Sequence, residues 1–176
     1  KIAAMEAIWE THEAPAPLTL FAIPDEAAQT NHAQIDVPWL FGLMGTRSLS
    51  TEIPGIKELT AQAEQRIVNG QKAIGVLEQL RKDPANEQLR EQFLAVRDDL
   101  GFGLLLKRYT NDVNAATPEM IKQAAADTIP SVTPMFWSFR IMVGSGLAMA
   151  LVFVLGLFYS FKNEIAEKAW YLRLAV

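Results

Sequence analysis

The chain has 176 residues, no cysteine, two histidines and a formal net charge of −4, and 20% of its residues are charged. These numbers exclude disulfides, thiolate metal sites and cysteine nucleophiles within it, and with no basic run or aromatic-interleaved patch they leave nothing to track nucleic-acid phosphates. A mean hydropathy of +0.10 is too apolar for an ordinary soluble surface and too polar for a bundle of spans, which fits one span joined to a large polar portion.

The chain opens on Lys1 with no signal-peptide pattern before its polar part, and reads as a piece of a longer protein. Ile2, Met5, Ile8 and Trp9 fall on one side of a helical wheel, with Lys1, Glu6, Glu10 and Glu13 mostly elsewhere, predicting a short amphipathic helix that ends near Thr11. Pro15 and Pro17 break it. The apolar run Leu18 to Ile23, closed by Pro24, reads either as a strand or as an extended buried segment, and its length does not decide between them. Asp25 to Asn31 is polar and loop-like, Val37 to Met44 reads as a buried or interfacial loop with a short helix, and Ser48 to Glu52 is the expected hinge.

From Ile53 the pattern turns helical. Pro54 suits a first turn, and Ile56, Leu59, Ala63, Ile67, Ile74, Leu77 and Leu80 recur at helical spacing up to Arg81, with Asn69-Gly70 weakening the middle. A second helix is predicted from Pro84 toward Tyr109 through Leu89, Phe93, Val96, Leu100 and Leu104, and the short linker makes the two an antiparallel hairpin. A third begins at Thr117, where Thr-Pro-Glu offers an N-cap, a proline at the first helical position and an early acid. Pro130 and Pro134 separate it from the last quarter.

There, Ile141 to Phe161 run for 21 residues without a charge. At about 1.5 Å per residue this spans the roughly 30 Å hydrocarbon thickness of a bilayer. Lys162, Lys168 and Arg173 follow closely, while few cations precede, so the C-terminal end is expected in the cytoplasm and residues 1–133 outside it. The fold class expected is all-α: an extracytoplasmic helical loop domain followed by one transmembrane helix.

Conventional catalytic arrangements are nearly absent. His12 and His32 belong to no metal spacing, Gly101-Phe-Gly103 lacks the rest of a dinucleotide fingerprint, and no serine sits in a nucleophile elbow. Glu6, Glu10 and Glu13 taken alone read as a solvated acidic face. Met142 admits two readings, a packing methionine or an axial heme ligand. Arg140 either snorkels to the interface or sits beside such a heme, and the slim stretch Gly144, Ser145, Gly146, Ala148 suits close helix packing or a flat macrocycle. A rival from another class is an exterior helical sensor or interaction domain held by a single membrane anchor.

Four phrases in order carry a resemblance: Lys1-Ile-Ala-Ala-Met-Glu6-Ala-Ile-Trp-Glu-Thr, Leu20-Phe-Ala-Ile-Pro-Asp25, Gly103-Leu-Leu-Leu-Lys-Arg-Tyr109 and Phe139-Arg-Ile-Met142. Together they resemble subunit I of the cytochrome bd ubiquinol oxidases, over the whole chain. The resemblance implies that residues 1–52 are the N-terminal part of a periplasmic quinol-binding loop and 53–133 its helical extension, as in the long-loop subgroup. It makes 134–162 the next transmembrane helix and 163–176 a cytoplasmic segment. It implies Lys1 and Glu6 as quinol-interacting residues, Met142 as the axial iron ligand of low-spin heme b558, and Arg140 as a neighbour of that heme. Heme b595, heme d and the remaining ligands would lie elsewhere in the complete subunit, so this piece alone would not reduce oxygen. Expected partners are subunit II, a small accessory subunit, membrane lipid and quinol, in a bacterial inner membrane. The acidic cluster that some members carry after Ile-Pro-Asp is thinned here to Asp25 and Glu26.

Elementary chemistry agrees with these roles. Quinol oxidation releases two electrons and two protons, and Glu6 suits proton acceptance while Lys1 polarises an oxygen. Five residues of helix turn about 140°, so the two approach a head group from different sides or Lys1 precedes the helix. A thioether favours ferrous iron, and a cation at Arg140 pushes the same way. Counting back from Phe161, Met142 lies just inside the outer boundary of the bilayer.

Overall fold

Ile2–Met5 make a single helical turn, α1, and the chain leaves it at Ala7, which takes a left-handed φ of 51°. The computed structural model on which this rests describes residues 1–46, 48, 50–162 and 164–175, without the side chain of Thr46. Part of the expected hinge, Leu49, and the first and last residues of 163–176 lie outside the described residues. The chain divides into two units, Lys1–Thr133 and Pro134–Val176.

In the first unit the helix expected to reach Thr11 stops at Met5. The cause is tertiary: Ile8 and Trp9 are buried, and residues 8–12 run alongside 53–57. The Ile56 amide donates to the Ile8 carbonyl (2.8 Å), that of Lys57 to Trp9 (3.1 Å), and His12 and Ile53 exchange two backbone hydrogen bonds. A helix through Trp9 would forfeit those partners.

The all-α expectation also needs correcting. Leu18–Asp25 (β1) and Thr30–Val37 (β2) form an antiparallel two-stranded sheet, paired from Leu18 with Val37 to Asp25 with Thr30 and irregular around Phe21. The Asp25 carboxylate closes the connection by accepting from the amides of Ala27 (3.0 Å) and Ala28 (2.9 Å). Asn31 ties the sheet to the N-terminal segment: its amide donates to the Ala7 carbonyl (2.9 Å), and its oxygen accepts from the Trp9 indole (2.8 Å). Beyond the sheet, Gly42–Thr46 form a π-helical turn, whose Gly42 amide donates to the Ala16 carbonyl (3.1 Å).

Ile56–Lys82 is one helix of 27 residues, α2. Asn69-Gly70 does not interrupt it. A side chain at Gly70 would collide with the backbone of Gly103 and Asp99, so the glycine lets two backbones cross in contact. The returning arm, expected as one helix, is broken into Glu87–Val96 (α3), a 3-10 turn Arg97–Asp99, Leu100–Gly103 (α4) and a second 3-10 turn Leu104–Arg108. At the break, Asp99 accepts from Arg66 Nε (2.6 Å) and Asn69 Nδ2 (3.0 Å) of α2, and the Arg66 guanidinium lies 4.0 Å from the centre of the Phe102 ring. Those bonds hold the carboxyl of Asp99 below its usual range, Arg66 contributing most.

Pro118–Ala126 (α5) starts as predicted, with the Thr117 hydroxyl accepting from the Met120 amide. Its Ala124 and Ala125 join Ile67, Leu106 and Val113 in a buried core. Asp127 just beyond accepts from the Tyr109 hydroxyl (2.6 Å) and Arg108 Nη1 (2.9 Å).

Val132–Phe161 (α6) is a continuous helix of 30 residues that carries Pro134 in its first turn. Among the described residues it is the one helix long and apolar enough to cross a membrane, and none of its most apolar window is buried. A 3-10 turn at Ile165–Glu167 leads into Ala169–Ala175 (α7). The Tyr171 hydroxyl donates to the Val152 carbonyl (3.0 Å), and its ring occupies the space where a side chain at Gly156 would stand, so α7 returns along α6.

Candidate functional site

The first unit contains a cavity of about 420 Å³ beside Lys1. Three stretches wall it: Lys1 and Ile2 at the start of α1, Phe41 and Gly45 at the π-helical turn, and Glu52 to Pro54 with Leu59 at the start of α2. The backbone pairing of residues 8–12 with 53–57 brings the first and third walls together. Gly45 lies close under the Phe41 ring, 3.3 Å from where its own Cβ would sit, so any larger residue would push that ring. The lining is apolar apart from Lys1 and Glu52, a composition that suits a flat organic ligand with a few polar groups.

Lys1 precedes α1, its carbonyl accepting from the Met5 amide (3.0 Å). Glu6 closes the same turn, its amide donating to the Ile2 carbonyl (3.0 Å). The residue is only 4% exposed, which overturns the solvated-face reading for it, and it is not among the residues lining the Lys1 cavity. Glu10 does fit that reading: exposed and paired with Lys57 at 2.7 Å, its carboxyl is held below the usual range by that partner. Sequence reasoning missed Glu52 and Phe41, whose only local signal is a place beside prolines and glycines in an irregular stretch.

A second, more polar cavity of about 420 Å³ lies near His12, Asn31, Gln34 and Lys57. The buried Nδ1 of His12 has no hydrogen-bond partner among the described residues.

In the second unit Met142 is 62% exposed on α6. Gly146 follows one turn later on the same face, and a side chain there would meet nothing within 4 Å. Two residues of helix turn about 200°, so the continuous α6 points Met142 and Arg140 to nearly opposite sides. The Arg140 guanidinium lies 4.2 Å from the centre of the Phe136 ring, one turn earlier. A soft thioether beside an open, slim helix face is a donor of the kind that would suit heme iron, and no cluster of three or more His, Cys, Asp or Glu residues that could hold a metal occurs among the described residues.

The family model described as cytochrome bd terminal oxidase subunit I matches residues 1–176. The chain belongs to that family. Within it, cytochrome bd-II ubiquinol oxidase subunit 1 of Escherichia coli (strain K12) is 35% identical over 176 residues, covering 100% of this chain and 34% of that protein. Cytochrome bd ubiquinol oxidase subunit 1 of Bacillus subtilis (strain 168) is 25% identical over the same length, covering 26% of that protein. The chain therefore spans about a third or less of the curated cytochrome bd relatives that it matches.

Proposed function

We propose that this chain is the quinol-binding loop and following transmembrane helix of a heme-containing quinol:oxygen oxidoreductase. The observation that carries this reading is the family match along all 176 residues. Residues 1–52 and 53–133 form the two parts of an exterior loop, α6 crosses a bacterial inner membrane, and the turn after it lies in the cytoplasm, with α7 heading back along α6. Quinol binds at the loop with Lys1 polarising one of its oxygens, and Glu6 is a buried carboxylate able to take up a proton. Subunit II, an accessory subunit and the surrounding lipid complete the assembly.

Met142 would hold the iron of a low-spin heme b through its thioether, and heme b595 and heme d would be held by parts of the complete subunit outside this chain. The heme, when bound, accepts electrons one at a time. Met142 biases it toward the ferrous state because a thioether is soft and neutral. Arg140 acts on it as a charge at longer range, since it leaves the opposite side of α6. Quinol oxidised at the outer face releases its protons there, so turnover adds to a transmembrane proton gradient as oxygen is reduced to water.

The test is a reduced-minus-oxidised optical spectrum of membranes carrying the complete subunit and its partner, beside Met142→Leu. Loss or conversion of the low-spin b signal alone is the expected result. An unchanged spectrum would return Met142 to packing, and a parent without heme would favour the anchored sensor.

A further inference from the structure

Among the described residues, the one acidic residue in the wall of the cavity beside Lys1 is Glu52 rather than Glu6. Glu52 lines the wall and is open to solvent, whereas Glu6 is almost wholly enclosed and absent from the lining. Lys1 and Glu52 are the two ionisable side chains among the described residues of that wall, set in a chamber otherwise made by groups such as Ile2, Phe41 and Leu59. An ammonium donates and never accepts; an ionised carboxylate accepts and cannot donate. One of each in an apolar chamber suits a flat ring that carries oxygen at both ends.

We propose that Glu52 accepts the hydroxyl proton of a para-dihydroxy aromatic bound in this cavity, while Lys1 donates a hydrogen bond to the other ring oxygen. This rests on the quinol-oxidase reading above. In the balanced step both O–H bonds break and both ring oxygens become carbonyls. One proton passes to Glu52 and on to exterior water, which its exposure permits, and the other leaves directly to water from the oxygen that Lys1 polarises. The two electrons go singly to a ferric heme acceptor of the complete oxidase.

The experiment measures oxygen consumption by the complete oxidase with a short-chain ubiquinol from about pH 4 to pH 8, for the parent, Glu52→Gln, Glu52→Asp and Lys1→Gln. The proposal expects Glu52→Gln to lose about 100-fold in kcat and its acid limb, Glu52→Asp to recover most of the rate, and Lys1→Gln to raise KM about tenfold or more, all with an unchanged heme spectrum. Parental kcat and acid limb in Glu52→Gln, with KM raised in Lys1→Gln, would overturn the role of Glu52 and leave the cavity as the quinol site. Parental kinetics in every variant would overturn the cavity as well, while the presence or absence of heme in the parent's spectrum decides the oxidase reading separately.

Discussion

Asp99 is where two arms of the helical hairpin are fastened by charge. Its carboxyl is depressed by the bonds from Arg66 and Asn69. A carboxyl with a lowered folded-state value adds stability that is fully present above its unfolded value of about 3.9 and is lost as pH falls through the lowered one. Amide hydrogen exchange of the complete protein should therefore show α2 and α4 losing protection on acidification from about pH 5 to pH 2. Asp99→Asn is expected to lower protection at neutral pH and to flatten that dependence; an unaltered acid profile would mean that the Arg66 contact contributes nothing. The same charge is screened by water at its exposed partner, so added salt should weaken the effect.

At the scale of elements, the crossing of α2 and α4 depends on the absence of a side chain at two positions. Gly70→Ala would force a methyl group into the Gly103 backbone, and overpacking of this kind costs about 1–3 kcal/mol. The expected outcome is faster exchange and earlier proteolysis in 87–108, while α6 is unaffected. Sequence showed the helix but gave Gly70 the wrong meaning, since propensity sees a weak residue where packing uses a bare backbone. The Thr117-Pro118-Glu119 start and the uncharged run in α6 were legible because their signals are local. β2 was not: Thr30 to Val37 is largely exposed, so no apolar alternation marks it, and its order comes from pairing with β1 and from Asn31. For α1, neither glycine nor proline announces its end at Met5, which follows from the bonds that Ile8 and Trp9 make to 56 and 57. The cavity was half legible. Lys1 came from a recognisable phrase, whereas Glu52 reaches it only through the tertiary pairing that closes the third wall.

For the whole molecule, the proposed orientation, with 1–133 outside and the turn after α6 in the cytoplasm, is open to labelling. The segment has no cysteine of its own, so in a complete subunit whose other cysteines have been replaced single introduced thiols report the side. With a membrane-impermeant maleimide on intact cells, Glu91→Cys should label and Glu167→Cys should react only after the membrane is opened. The reverse pattern would place the loop in the cytoplasm and remove the outer-face route for protons. Both positions are exposed and neither lines the Lys1 cavity, which keeps turnover as an internal control.

The 27 residues of α2 amount to a rod about 40 Å long. One end is sewn to the chain beside the cavity, and the other stops at the exposed turn of Asp83 to Ala85. That geometry separates the cavity from an exposed point of access. An epitope or a dye grafted at the distal turn would stand clear of the cavity while remaining rigidly connected to it, giving the protein a built-in handle for purification, imaging or attachment to a surface.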